Sequence, residues 1–391
     1  MSFISAPSPE PDLHKLLLSE DPDDALDKRL EDHITMSLWS TQQHHNSAAY
    51  FLYFREECEA WRLSGSAVAI QTYQDFLDLV EHLKRTRNEK RSAAAVLDFF
   101  PPVRAADDEK TPTPSLTEEC TSGQLHWSLR HRSPRCDLVS ATNSIFLTVR
   151  LWLMLNVGSS ANLTLFPGRS SPEWMEDQSL DNFIDSCFPV SEWGPRLSQW
   201  PFSLNAYNLE RVGGFELVWT DHLADHLYLN EDLGTISIYH HVHVLRGLLQ
   251  AKSPNQALPD RLLTETLQTL ALIIPRANRD CKTWFEKVHN KYAKYAENID
   301  HGAGDVELLH WARSTEKYKF WGQRLITIKM AYDASEPKNL GQWWRDRRRR
   351  VEWYTFWVAV LVVFLTIVFG LIQSITGVMQ VYYAAHSGQS P

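Results

Sequence analysis

The chain has 391 residues, 43% of them hydrophobic and 22% charged, with 15 Trp and 17 Phe, enough apolar material for a large folded core. A formal net charge of -9 excludes the broadly basic surface that grips DNA or RNA, so nucleic acid is not an expected partner. The cysteines Cys58, Cys120, Cys136, Cys187 and Cys281 are odd in number, far apart and never form a CxxC pair, which fits a reducing compartment better than a disulfide framework.

In chain order, the first segment, Met1 to Pro9, has no basic stretch leading into an apolar one, so a cleaved secretory signal is not expected. Residues 1–100 read as a helical region: Asp12 to Glu20, Asp21 to Leu38, Ala49 to Leu63, and Thr72 to Thr86 with Phe76, Leu77, Val80 and Leu83 on one face. Asp21 followed by Pro22 reads as an N-cap and first helical residue. A short apolar helix from Ser92 to Phe100 stops at Pro101-Pro102, and residues 101–120 form a Pro-rich loop.

Residues 121–337 read as an α+β region that forms one domain with 1–100. Ile145 to Val157 is apolar but short and carries Arg150, which marks a core helix rather than a membrane span. Phe215 to Thr220 reads as a strand, and Ile236, Ile238, His240, Val242 and Val244 alternate with Ser237, Tyr239, His241 and His243 as a second strand. Helices follow at Arg261 to Ile274 and at Thr283 to Glu297, the latter with Trp284, Val288, Tyr292 and Tyr295 on one face; Asp305 opens a long helix to about Ala334. The expected fold is mainly α with a small β element and one C-terminal transmembrane helix.

That last helix carries the strongest signal. From Trp353 to Ala385 there is no charged residue, and at about 1.5 Å per residue a helix over 354–381 is long enough to cross a hydrocarbon core of about 30 Å. Trp353, Tyr354 and Trp357 at one end, with Tyr382 and Tyr383 at the other, suit the two headgroup layers. Residues 338–353 form a basic juxtamembrane helix containing Arg345, Arg347, Arg348, Arg349 and Arg350, whereas no Lys or Arg lies between Val351 and Pro391. The positive-inside rule then sets the large domain in the cytosol, with 382–391 a short non-cytosolic tail and insertion of the tail-anchored kind. The alternative for the Arg run is a nuclear-import or nucleic-acid patch. Beside Trp343 and Trp344 the same arginines suit anionic lipid headgroups. The expected membrane is an endomembrane or the plasma membrane rather than the mitochondrial outer membrane.

Within the span, Thr355, Ala359, Val362, Thr366, Gly370, Gln373, Gly377, Gln380 and Ala384 recur in steps of three or four, a stripe of mostly small and polar residues. Such a stripe favours pairing with another helix, in a homo-oligomer or with a partner span; the alternative is that Gln373 and Gln380 reach for the far headgroups.

Chemistry is less legible. Asp221-His222-Leu223-Ala224-Asp225-His226 and His240-His241-Val242-His243 are the densest clusters of potential metal ligands. On a helix His222 and His226 would share a face, and in a strand His241 and His243 would share another, a bipartite zinc arrangement. Leu223 stands where an HExxH motif needs its general-base Glu, so zinc-protease chemistry is not indicated. Histidines bonded to neighbouring polar groups are the structural alternative. No phosphate loop, GxGxxG, GxSxG or kinase signature occurs, and neither Cys187 nor Cys281 has an adjacent His. No cofactor is implied. Lys282, Lys287, Lys291 and Lys294 read as a solvated helix face.

Four segments together resemble a family of uncharacterised integral membrane proteins of filamentous fungi with a single C-terminal transmembrane helix. They are Val149 to Met154, Trp219 to Leu227, Glu265 to Pro275, and Gln342 to Arg347 leading to Trp353–Trp357; the likeness extends over about 146–383. This resemblance implies membrane anchoring and assigns no catalytic residue. A CorA-like transporter differs from this chain, which has one span in place of two and no Gly-Met-Asn after it. The expected function is therefore a membrane-anchored, non-enzymatic cytosolic interaction module. The alternatives are a membrane-bound metal-dependent hydrolase and an oligomeric transporter subunit.

Overall fold

The computed structural model describes residues 11–19, 26–39, 48–100, 138–158, 174–190, 199–251, 256–294, 299–335 and 350–387. It is mainly α with a small three-stranded sheet. In the first part, α1 (Lys28–Trp39), α2 (Ala48–Ser64) and α3 (Tyr73–Asn88) precede a short α4 (Ala93–Val96), which runs into a 3-10 turn at Leu97–Phe99. The start of α3 is set by a reciprocal cap. The Asp75 N–H donates to Thr72 Oγ1 at 3.2 Å while the Thr72 N–H donates to Asp75 Oδ2 at 2.9 Å, and Phe76, Leu79, Val80 and Leu83 then fall on one buried face.

Residues Asp12 to Ser19 are not the helix expected from their periodicity. The chain there makes turns around a single bridge at Leu16↔Thr72, with the Leu17 N–H bonded to Gln71 O at 2.7 Å and the Gln74 N–H to Leu13 O at 3.0 Å. Backbone groups that a helix would pair internally are paired instead across the entry to α3. The second helix begins at Lys28, and the expected Asp21-Pro22 start, like the loop at 101–120, lies outside the described residues.

Helix α5 (Leu138–Leu153) is the apolar core helix, starting earlier than expected and ending where Met154 turns to a φ of 54°. After α6 (Leu180–Cys187) and α7 (Ala206–Arg211) come β1 (Glu216–Thr220), β2 (Leu229–Asn230) and β3 (Thr235–Tyr239). The sheet order is β1-β3-β2: β1 and β3 are parallel, with Thr220 opposite Tyr239, and β2 lies antiparallel on the other edge of β3. Ile236, Ser237, Ile238 and Tyr239 are all buried, as expected of a strand covered on both faces.

Helices α8 (Val242–Ala251), α9 (Asp260–Ile273), α10 (Arg279–Ala293) and α11 (Gly322–Ala334) complete the part of the chain before the last helix. Helix α9 is buried almost all round, from Leu262 to Ile273, and α8 packs along it. The long helix expected to open at Asp305 is absent: a 3-10 turn forms at Thr315–Lys317 and α-helix starts only at Gly322. The buried Glu265 carboxylate of α9 accepts the Lys319 N–H at 2.8 Å and the Phe320 N–H at 2.9 Å, holding that stretch as an ordered loop. Lys282, Lys287, Lys291 and Lys294 are exposed along α10, as a solvated face should be. Buried apolar residues from Leu17 to Tyr332 form one continuous cluster that includes both the N-terminal helices and the sheet.

The last element, α12 (Arg350–Ser387), contains a stretch, Tyr354–Ala384, that is long and apolar enough to cross a membrane, and none of that stretch is buried against the rest of the chain. The Trp343-Trp344 pair and Arg345 to Arg349 lie outside the described residues.

Candidate functional site

The parallel pairing of β1 with β3 brings two loops together at the carboxyl ends of adjacent strands, the place where open α/β sheets receive ligands. Asp221 follows the last residue of β1. His240 and His241 follow the last residue of β3 and lead at once into α8. His241 Nε2 lies 2.6 Å from Asp221 Oδ1 and His240 Nε2 lies 3.2 Å from the same oxygen; the two rings stack at 4.1 Å. Both imidazoles are buried, whereas the Asp221 side chain is 34% exposed and is the group through which solvent meets the cluster.

The electrostatics follow from that placement. Burial pushes the Asp221 carboxyl up, but the two imidazole hydrogen bonds outweigh it and hold the group well below the usual carboxylate range. His241 is brought down to about 4, first by burial and then by the neighbouring His240, against the opposing pull of Asp221. A second carboxylate, Asp300, braces the other side. It accepts the His243 N–H at 2.8 Å and the Gly302 N–H at 2.8 Å, pairs with His243 Nδ1 at 2.6 Å, and donates its own N–H to His240 Nδ1 at 3.2 Å. Burial raises Asp300, and its bonds with His243 bring it below its ordinary value.

Behind the cluster lies a buried ion pair. Arg150 of α5 is 1% exposed; its Nη1 stands 3.4 Å from Glu57 Oε2, its Nε donates to Val157 O at 2.9 Å, and its guanidinium lies 5.8 Å from the Trp61 ring. His222 Nε2 is 4.0 Å from Glu57 Oε1, and the Tyr53 ring lies near both histidines, 6.0 Å from His222 and 6.1 Å from His241. Tyr53 Oη donates to Arg150 O at 3.0 Å, tying α2 to α5 beneath the site.

The bipartite arrangement expected of His222, His226, His241 and His243 does not form. His222 and His226 flank a 3-10 turn, Leu223–Asp225, rather than sharing an α-helical face, because the chain turns back there toward β2. His226 is fully buried and already engaged: its Nε2 is 2.7 Å from Thr269 Oγ1, its Nδ1 accepts the Tyr239 N–H at 3.1 Å, and burial together with Arg324 lowers it to about 3. The strand ends at Tyr239, so His241 and His243 do not alternate on a sheet face, and His243 is turned to Asp300. Of the four, only His241 reaches the convergent cluster. His240, the residue that replaces the others, reads in the sequence as one more inward position of an alternating strand; the signal that could have found it is the His-His pair at a strand end.

Among the described residues, Asp221, His240 and His241 are the group whose ligating atoms converge, all within 4.8 Å of one another. Cys58, Cys187 and Cys281 are buried and form no disulfide among the described residues; burial raises Cys58 and lifts Cys281 to about 11, which disfavours the thiolate in both. Comparison with protein-family models, with curated proteins and with solved structures returns no match.

Proposed function

We propose that this chain is a single-pass membrane protein whose α12 tethers the folded α+β domain to the cytosolic face, where the domain serves as an interaction module. One observation carries the reading. The stretch Tyr354–Ala384 presents Leu361, Phe364, Ile367, Phe369, Leu371, Ile375 and Val378 to its surroundings all round the helix, with none of its residues buried. Each such side chain is worth roughly 1.5–3 kcal/mol when removed from water, and lipid is the medium that covers a helix on every side. The arginines of 345–350 beside the span, with no basic residue after it, support the cytosolic orientation. The test is expression in microsomes with a glycosylation acceptor added after Pro391. Resistance to alkaline extraction, glycosylation of the added site and digestion of the large domain by external protease are expected. Release at alkaline pH, or a protected large domain with an unglycosylated tail, would refute it.

A second part of the proposal is pairing of the span along Thr366, Gly370, Gln373, Gly377 and Gln380. Gly370 and Gly377 have open space where a Cβ would stand, so another backbone can approach closely there. Thr366 and Ser374 bond back to Val362 O and Gly370 O within their own helix, which leaves the amide side chains as the polar groups of this stripe that suit a neighbour.

A further inference from the structure

We propose that Asp221, His240 and His241 form a divalent-cation site that takes zinc. The donor set is one carboxylate and two imidazoles, the hard-to-borderline mixture that suits zinc rather than magnesium or calcium. In a tetrahedral site with bonds of about 2.0–2.1 Å, adjacent ligand atoms stand about 3.3 Å apart. Asp221 Oδ1 and His240 Nε2 already have that spacing at 3.2 Å, His241 Nε2, at 2.6 Å, has to back away from the carboxylate, and the ligating atoms of all three lie within 4.8 Å of one another.

Position supports the same reading. The three residues come from the carboxyl ends of two parallel strands, so rigid elements hold them. The imidazoles form the buried floor and Asp221 the half-buried rim, so an ion held by all three has its fourth position on the side nearer solvent. Three protein ligands and one open position is the arrangement of zinc ions that bind an exchangeable water or substrate, not of closed structural sites.

Loading has a defined cost that makes the proposal testable. In the structure His240 Nδ1 accepts the Asp300 N–H at 3.2 Å, so the proton of an uncharged ring is on Nε2, the atom that faces Asp221. Coordination at Nε2 transfers that proton to Nδ1, leaving the ring uncharged, and places two N–H groups face to face. The contact with Asp300 must then open. Zinc binding is thereby coupled to the segment from Asp300 to Gly304, whose backbone is otherwise held by the Asp300 carboxylate.

The experiment uses untagged full-length protein in lipid nanodiscs, stripped with chelator and then exposed to zinc alone or cobalt alone. Expected results are close to one zinc per chain after desalting, retained in excess magnesium, and a cobalt spectrum of the intense tetrahedral type. Faster amide exchange at 300–304 on loading is expected as well. Asp221→Asn keeps the shape of the side chain and should weaken zinc binding more than tenfold without changing the unfolding temperature greatly. His240→Gln serves as the second ligand variant. Less than a tenth of an equivalent in the parent protein, or undiminished affinity in a folded Asp221→Asn or His240→Gln chain, overturns the proposal. So does loss of binding in a His289→Gln, His301→Gln double variant, which would assign the zinc to the more exposed histidine pair whose rings lie 5.2 Å apart. If both ligand variants unfold, the cobalt spectrum of the parent decides, and absence of tetrahedral bands counts against the site.

Discussion

Acid sensitivity of the folded domain can be derived from a single residue, His226. The ring is fully buried, with Thr269 Oγ1 on Nε2, the Tyr239 N–H on Nδ1 and the Trp321 ring 5.0 Å away. Burial disfavours the charged ring and the nearby Arg324 cation opposes it further, so the ring is lowered from 6.5 to about 3; with Nδ1 already accepting the Tyr239 N–H, a second proton would also break that bond. The unfolded chain takes up the proton near 6.5 and the folded chain only near 3, so the contribution is intact above 6.5 and is lost as the pH falls below it. With about 1.4 kcal/mol per pH unit, His226 alone should remove about 2 kcal/mol of stability between pH 7 and pH 5. The assay is urea unfolding of the full chain in nanodiscs, followed by Trp fluorescence at pH 7, 6 and 5, beside His226→Gln. Gln can donate to Thr269 and does not titrate, so the variant should start lower in stability, by about 1–3 kcal/mol, yet lose about 2 kcal/mol less than the parent across that range. An identical pH slope in the two proteins would refute the reasoning.

Three further outcomes are expected. Glu57→Gln leaves the buried Arg150 guanidinium without its counter-charge and should destabilise the domain by about 3–5 kcal/mol in denaturant unfolding. Glu265→Leu strips the Lys319 and Phe320 amides of their acceptor and should cost about 2–5 kcal/mol, with faster hydrogen exchange at those two amides as the specific readout. In membranes, Gln373→Leu and Gly377→Leu should each lower the yield of crosslinked oligomer if the span pairs along its small-residue face; an unchanged yield removes that part of the proposal.

Local patterns in the chain were enough for the elements whose causes are local. The apolar run of α12 is defined by composition alone, the face of Phe76, Leu77, Val80 and Leu83 marks α3, and the patterns of α9 and α10 place each helix to within four residues, whereas α5 starts at Leu138, well before the expected Ile145. Tertiary structure decided what depends on distant partners. The segment at 12–19 pairs with 71–74 in place of forming a helix, and Glu265 holds 319–320 as a loop where periodicity favours continuation. The histidines show the same division. Their clustering around 222 and 241 is visible in the sequence, but which of them converge was set by the parallel register of Thr220 with Tyr239 and by Asp300, some sixty residues downstream of His240. A period of two or of 3.6 reports which face a residue takes within one element; it carries no information about which strand end that element will meet.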